Sequence, residues 1–204
     1  MKKNIIIVTT GRSGSSWLEN CFVHELKYNA IRISDSELNE DDRLKLKDLD
    51  LNQRIDFLSA QPSPWVCKII IDDWDHLPLN TIKSKTNAQL VWVWRRDLID
   101  LFLSYAMGLM THVFNTSDIN GDYHTPDTIE LSEFELNDFK HMIENRDNHY
   151  HWYHDFFDHT LEYSRMFSNN PWGFKKNDAL GKLNAYTNNH RKQAKKLLRK
   201  IGLL

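Results

Sequence analysis

The chain has 204 residues, 41% of them hydrophobic, which allows one domain with a substantial core and excludes two large domains. A formal net charge of −2 excludes the overall positive field that draws many proteins to nucleic acid. The apolar run near the N-terminus, Ile5 to Val8, is far shorter than a signal sequence or a membrane span. We therefore expect a single cytoplasmic domain over residues 1–204, with no nucleic-acid partner and no membrane partner.

The cysteines agree with that compartment. Cys21 and Cys67 both lie in apolar segments, which favours buried free thiols over a disulfide framework. Free thiols are typical of a reducing environment.

The first predicted elements are a strand, a glycine-containing loop and a helix. Ile5 to Val8 is β-branched without interruption, which is typical of a parallel strand buried on both faces. Gly11 and Gly14 allow a tight turn and let the backbone approach a ligand closely. The free N–H groups of the following helix, together with the Arg12 charge, favour a bound phosphate or sulfate.

The helix after this loop is predicted to start at a serine. Either Ser15 or Ser16 can cap it, and an apolar stripe follows at Trp17, Leu18, Cys21 and Phe22. The loop lacks the Gly-Lys pair of a Walker loop, so an ordinary ATP or GTP site is disfavoured. The alternative interpretation is a strand-to-helix turn in which the glycines serve geometry alone.

A second strand-to-helix junction follows the apolar run Leu90 to Trp94. Asp97 is a predicted N-cap, and an apolar helix face is predicted at Leu98, Leu101, Phe102, Tyr105 and Leu109. Arg96 would stand at the mouth of this helix, where a guanidinium can hold an anion with two hydrogen bonds. Ser104 comes eight residues later, two turns into the helix.

The two junctions together resemble the donor-binding motifs of sulfotransferases that use 3′-phosphoadenosine-5′-phosphosulfate (PAPS). The first resembles their 5′-phosphosulfate loop, and Arg96 with Ser104-Tyr105 matches the spacing of their 3′-phosphate motif. The resemblance implies a three-layer α/β/α fold with a mostly parallel sheet, that is, a P-loop NTPase-like sulfotransferase fold. It departs from many members of the family at Leu98, where they have proline, and at Arg12, where cytosolic members have lysine.

The resemblance also implies roles for individual residues. The 5′-phosphosulfate of PAPS would be bound by Arg12, Ser13, Gly14, Ser15 and Ser16. Trp17 would lie near the adenine, and Arg96 and Ser104 would bind the 3′-phosphate. The product would be the 3′,5′-bisphosphate PAP, and the family's reaction needs no metal.

A general base is expected after a third predicted strand, Trp65 to Ile71. Ligands of open α/β sheets gather at the carboxyl ends of the strands, and a sulfuryl acceptor must lose a proton during attack. Asp72 and His76 are the first candidates, with Asp73 also in position. Glu37 and Glu40 stay open because other sulfotransferases use a glutamate after the first helix. The family's Lys-x-His motif makes Lys68 a candidate catalytic cation, although it lies within the strand.

Three further segments carry alternatives. Residues 111–131 are polar and turn-rich, and we expect either a lid or acceptor-binding segment or a surface loop. The histidine-rich run from 149 to 159 invites a metal site, but Trp152, Phe156, His159 and Tyr163 have helical spacing that favours a packed aromatic stripe. The basic face of a C-terminal helix, Asn189 to Ile201, is expected to be solvated.

The sequence therefore predicts a PAPS-dependent sulfotransferase with Arg12, Lys68, Asp72 and His76 as catalytic candidates. The acceptor would be a hydroxyl or amine of a small molecule or a carbohydrate-like compound. The alternatives are a kinase-like nucleotide-binding protein and a non-catalytic protein that senses PAP or another nucleotide.

Overall fold

The computed structural model describes residues 2–34, 45–74, 77–112, 125–166, 168, 170–174 and 186–204. These residues form an α/β protein in which five parallel strands make one sheet and about half of the residues are helical. The strands are β1 (Ile5–Thr9), β2 (Asn29–Arg32), β3 (Trp65–Ile70), β4 (Gln89–Trp94) and β5 (His159–Glu162).

The sheet is centred on β1, the strand of the first predicted motif. The strand order is β2-β3-β1-β4-β5, and Ile5 pairs with Val66 on one side and Gln89 on the other. Every residue of β1 and β3 is buried, because both strands have neighbours on each edge and helices pack on both faces of the sheet. The parallel, doubly buried strand predicted at Ile5 to Val8 and the buried strand predicted from Trp65 are confirmed as β1 and β3, and the apolar run Leu90 to Trp94 forms β4.

The helices, in chain order, are α1 (Ser15–His24), α2 (Leu51–Ser59), α3 (Leu79–Thr86), α4 (Leu98–Thr111), α5 (Glu133–Tyr153), α6 (Tyr163–Met166) and α7 (Asn188–Lys200). Asp97 caps α4 as predicted, since its carboxylate accepts from the N–H groups of Ile99 and Asp100. The sequence predicted that the first helix would end near Tyr28-Asn29, and this was wrong, because α1 ends at His24. Lys27 adopts a left-handed conformation that ends the helical segment and leads the chain into β2.

The chain divides into two compact units. The first consists of residues 1–94 and 145–163 and contains the whole sheet. The second consists of residues 95–144 and 164–204 and contains α4, α6, α7 and the first part of α5. The expectation of a single domain over residues 1–204 stays a prediction.

In the first unit, the sheet has a different partner on each face. One face carries Trp65, Cys67 and Trp92, which share a buried apolar cluster with side chains of α2 and α3. Lys68 lies between Cys67 and Ile69 and therefore points to the opposite face, where α1 contacts β1 and β3. This arrangement is compatible with a three-layer α/β/α fold.

The second unit is built from helices around its own apolar cluster. Phe102 of α4 meets Phe139 of α5 edge to face, with ring centroids 5.0 Å apart. Ala194 and Leu198 of α7 belong to the same cluster, and α7 packs against α4. Across the described ranges of both units, no helix is both long enough and apolar enough to cross a bilayer.

Candidate functional site

The loop between β1 and α1 is held at the carboxyl end of the sheet. The Thr9 hydroxyl donates to the Val93 carbonyl at 2.9 Å. This hydrogen bond joins the carboxyl ends of β1 and β4. Arg12 and Gly14 both have positive φ, 64° and 85°, so the backbone turns through two left-handed residues before α1 begins. Gly14 can adopt this conformation without strain because it has no Cβ atom.

The N-terminus of α1 is open to an anion. Its N-cap is Gly14, and the prediction of a serine cap was therefore wrong, because Ser15 and Ser16 already lie within the helix. Glycine offers no side chain to the first N–H groups, and the first turn contains no acidic residue. The helix therefore presents amide hydrogens and a positive dipole end that no capping side chain neutralises.

Ser13 stabilises the loop from inside. It is fully buried, and its hydroxyl donates to the Thr10 carbonyl at 2.9 Å. The hydroxyl oxygens of Thr10 and Ser13 also lie 2.9 Å apart. A hydroxyl has a single hydrogen to donate. The Ser13 side chain therefore uses its hydrogen for a bond within the loop.

Ser16 is in a different position, because it contacts a buried lysine. The Lys68 ammonium donates to the Ser16 hydroxyl oxygen at 3.0 Å and lies 3.9 Å from a Glu19 carboxylate oxygen. Only 3% of the Lys68 side chain and 5% of the Glu19 side chain are exposed. An ammonium has no lone pair, so Ser16 is the acceptor in this bond and its own hydrogen points elsewhere.

The predicted catalytic residue Lys68 thus lies beneath the first turn of α1. There it connects β3 to the helix that carries the anion-compatible N-terminus. Glu19 was missed by sequence reasoning. The available signal was a carboxylate within the apolar stripe of α1, matched by a lysine within the apolar run of β3.

Asp72 lies beside the same loop. It belongs to a single 3₁₀ turn, Ile71–Asp73, that follows β3 directly, and its carboxylate accepts from the Gly11 N–H at 3.4 Å. Asp73 is in the same turn and half-buried. The other candidates for a base, His76, Glu37 and Glu40, lie outside the described residues.

Trp17 is almost fully buried in the helix that follows the loop.

The thiol of Cys21, one turn further along α1, is also buried. Burial raises the pKa of this thiol to about 12, with a further contribution from the Glu25 carboxylate. This shift favours the protonated thiol of Cys21 at neutral pH. Cys21 and Cys67 are both free and buried, as predicted.

The predicted 3′-phosphate residues belong to the second unit. Arg95 and Arg96 follow the last residue of β4 and precede the Asp97 cap of α4; Arg95 is buried and Arg96 is exposed. Ser104 is buried two turns into α4. Tyr105 donates to an Asp138 carboxylate oxygen at 2.7 Å, and burial together with that carboxylate raises the pKa of its hydroxyl.

The histidine-rich segment does not form the predicted aromatic stripe. Trp152 is 55% exposed, Phe156 lies in a 3₁₀ turn, and His159 begins β5. His149 is buried, with its ring 5.7 Å from that of Tyr153. Within the described part of the chain, no group of three or more His, Cys, Asp or Glu residues could hold a metal ion.

The first unit is thus defined as an α/β unit whose central strand leads into an uncapped helix N-terminus, with one arginine in the loop and one carboxylate beside it. Comparison with known proteins adds no family to this description. No protein-family model matches the chain, and no curated protein matches it.

Proposed function

We propose that this protein is a sulfotransferase, with the fold of the P-loop-like sulfotransferases, that moves a sulfuryl group from PAPS to a hydroxyl or amine. The acceptor would be a small molecule or a carbohydrate-like compound. The observation that carries the proposal is the start of α1: Gly14 leaves the helix N-terminus uncapped at the end of the central strand, and Arg12 adds a positive charge there.

The loop would act mainly by stabilising the leaving phosphate. As the bond to sulfur breaks, negative charge grows on the bridging oxygen of the 5′-phosphate. The first N–H groups of α1 are suited to neutralise that charge because the helix fixes them before the reaction begins, and Arg12 would add its positive charge. Ser16 would add a hydrogen bond, since its contact with Lys68 leaves its hydroxyl free to donate.

Asp72 is the base that the geometry favours. Its hydrogen bond to the Gly11 N–H keeps the carboxylate beside the loop that would hold the transferring group. It would accept the proton of the attacking hydroxyl or amine. By the resemblance, Arg96 and Ser104 would bind the 3′-phosphate, and Trp17 would lie near the adenine.

Ligand-dependent melting tests this proposal. We expect PAP to raise the melting temperature without added metal, because a ligand at a hundred times its dissociation constant stabilises by about 2.7 kcal/mol. We expect ATP with magnesium to give little shift, because the loop has no Gly-Lys pair. Stabilisation by ATP and magnesium without stabilisation by PAP would support the kinase-like alternative instead.

The first site-directed prediction concerns Arg12. We expect Arg12→Gln to weaken PAP binding by roughly ten- to hundredfold, the usual value of a hydrogen bond to a charged group. Lys27→Gln is the matched control, because Lys27 is a cation that also has positive φ but lies beyond α1. Calorimetric titration measures both variants. Equal affinities for PAP would contradict the role of Arg12.

A further inference from the structure

The second unit carries an unusually one-sided helix. The helix α7 contains six Lys and Arg residues and no Asp or Glu. Two of the six cations have carboxylate partners: Arg191 lies 2.6 Å from Asp100, and Lys200 lies 3.2 Å from Glu133. These two pairs attach α7 to the start of α4 and the start of α5.

The other four cations form a line that we call the basic stripe: Lys192, Lys195, Lys196 and Arg199. Their spacing of three, four and seven residues puts them on one face of the helix, about 10 Å long. All four side chains are exposed, and the opposite face of α7 is buried through Ala194 and Leu198. Within the described residues, none of the four has a carboxylate within ion-pair distance.

Apolar groups lie beside one end of this stripe. Lys200 follows Lys196 by one turn, and its ion pair with Glu133 brings the first turn of α5 alongside. The next residue, Phe134, is 80% exposed. A groove of about 290 Å³ lies between the two helices and is lined by Glu133, Leu136, Asn137, Lys140, Lys200 and Ile201.

We propose that this face binds the surface of a membrane that contains anionic phospholipids. The basic stripe would lie on the headgroups, where each cation strengthens binding by about fivefold. Phe134 would enter the interface, where an aromatic ring leaves water. The inference is independent of the proposed sulfotransferase activity.

Two features favour a membrane over nucleic acid as the occupant. The chain's net charge of −2 provides no overall attraction to a long polyanion, whereas the basic stripe presents its four cations on one face of α7. A bilayer contacts only one face of a protein, and its interface accommodates the exposed Phe134 ring. The sequence alone predicted a solvated face and no membrane partner. The new observations are the exposed phenylalanine and a line of four exposed cations that have no carboxylate partner in the described part of the chain.

Vesicle sedimentation of the full chain tests the proposal. We expect binding to phosphatidylcholine vesicles that contain phosphatidylserine and much weaker binding to phosphatidylcholine alone. The variant with Lys192, Lys195, Lys196 and Arg199 all changed to Gln should bind about six hundredfold more weakly, which is a fivefold loss for each cation. Glutamine is a good helix former, so circular dichroism should show α7 retained.

A second variant controls for net charge. It changes four exposed cations elsewhere to Gln, namely Lys3, Lys45, Lys47 and Arg165. We expect this variant to keep most of the binding, and Phe134→Ala to weaken binding without lowering the melting temperature. The proposal is overturned if the two fourfold variants bind equally, or if duplex DNA binds more tightly than the vesicles and is lost with the stripe.

Discussion

A single buried ammonium determines what Ser16 can offer to a ligand. Lys68 donates to the Ser16 hydroxyl oxygen and is balanced by Glu19, so three side chains of α1 and β3 act as one unit. Such a buried pair contributes little net stability, because removing two charges from water costs about as much as their attraction returns. Its effect is on position: it fixes the first turn of α1 against the sheet.

This arrangement predicts an asymmetry between single and double substitutions. Glu19→Gln leaves the Lys68 charge buried without its carboxylate and should lower the free energy of unfolding by about 3 kcal/mol. The double variant Glu19→Leu with Lys68→Met removes both charges and should be close to the original protein in stability. Urea denaturation measures both. If the single variant is as stable as the double one, the pair does not balance charge as described.

Only part of these side-chain contacts could be predicted from the sequence. The glycine and serine pattern identified the loop, but it could not separate the role of Ser13 from that of Ser16. The Ser13 hydroxyl donates to a carbonyl of its own loop, whereas the Ser16 hydroxyl accepts from the Lys68 ammonium and meets no acceptor among the described residues. Neither contact is local enough to show in a sequence pattern.

At the scale of elements, the junction between β1 and α1 depends on one left-handed glycine. Gly14 has φ 85°, a conformation that costs other residues about 1 to 2 kcal/mol. Gly11 in the same loop has no such requirement, and a Cβ atom there would meet nothing within 4 Å. The loop conformation therefore requires a glycine at position 14 but not at position 11, although the sequence does not distinguish the two.

The prediction compares alanine at the two positions. Gly14→Ala should lower the free energy of unfolding by about 1 to 2 kcal/mol, because alanine is strained at this φ. Gly11→Ala should change it by less than about 0.5 kcal/mol. Thermal melting measures both variants, and a larger loss at Gly11 would show that the loop conformation is not the one described.

The elements that could be predicted are those whose sequence pattern is contained within the element itself. β1, β3 and β4 are continuous apolar runs, and the α5 capping box at Ser132 and Glu135 forms as its spacing indicates. β5 was missed because its residues also fit a helical period, and pairing with β4 decides the outcome. The end of α1 was missed because Lys27, not a glycine, takes the left-handed conformation.

At the scale of the whole molecule, the chain leaves the first unit after Trp94 and returns to it at Asn145. Asp158 secures the returning segment. One carboxylate oxygen accepts from the Leu90 N–H at 2.8 Å, and the other accepts from the Lys83 ammonium at 2.9 Å. Burial alone would raise the pKa of Asp158, but these hydrogen bonds outweigh it and lower the pKa.

A lowered carboxylate pKa gives a defined pH dependence. The stabilisation by Asp158 is fully present above the ordinary aspartate pKa of about 3.9 and is lost as the pH falls through the lower value in the folded protein. Asp158→Asn should therefore be less stable than the original protein at neutral pH, and the difference should shrink below about pH 4. Denaturant unfolding across this range measures it, and a difference that is constant with pH would contradict the role.

The strand order has a consequence for synthesis on the ribosome. β4 is complete at Trp94, but its neighbour β5 begins only at His159, so one border of β4 stays unpaired while the intervening segment is translated. An open strand border is a template for pairing with other chains. The risk that the nascent protein pairs with another chain is therefore greatest in that interval. The risk ends when His159–Glu162 pairs with β4 as β5.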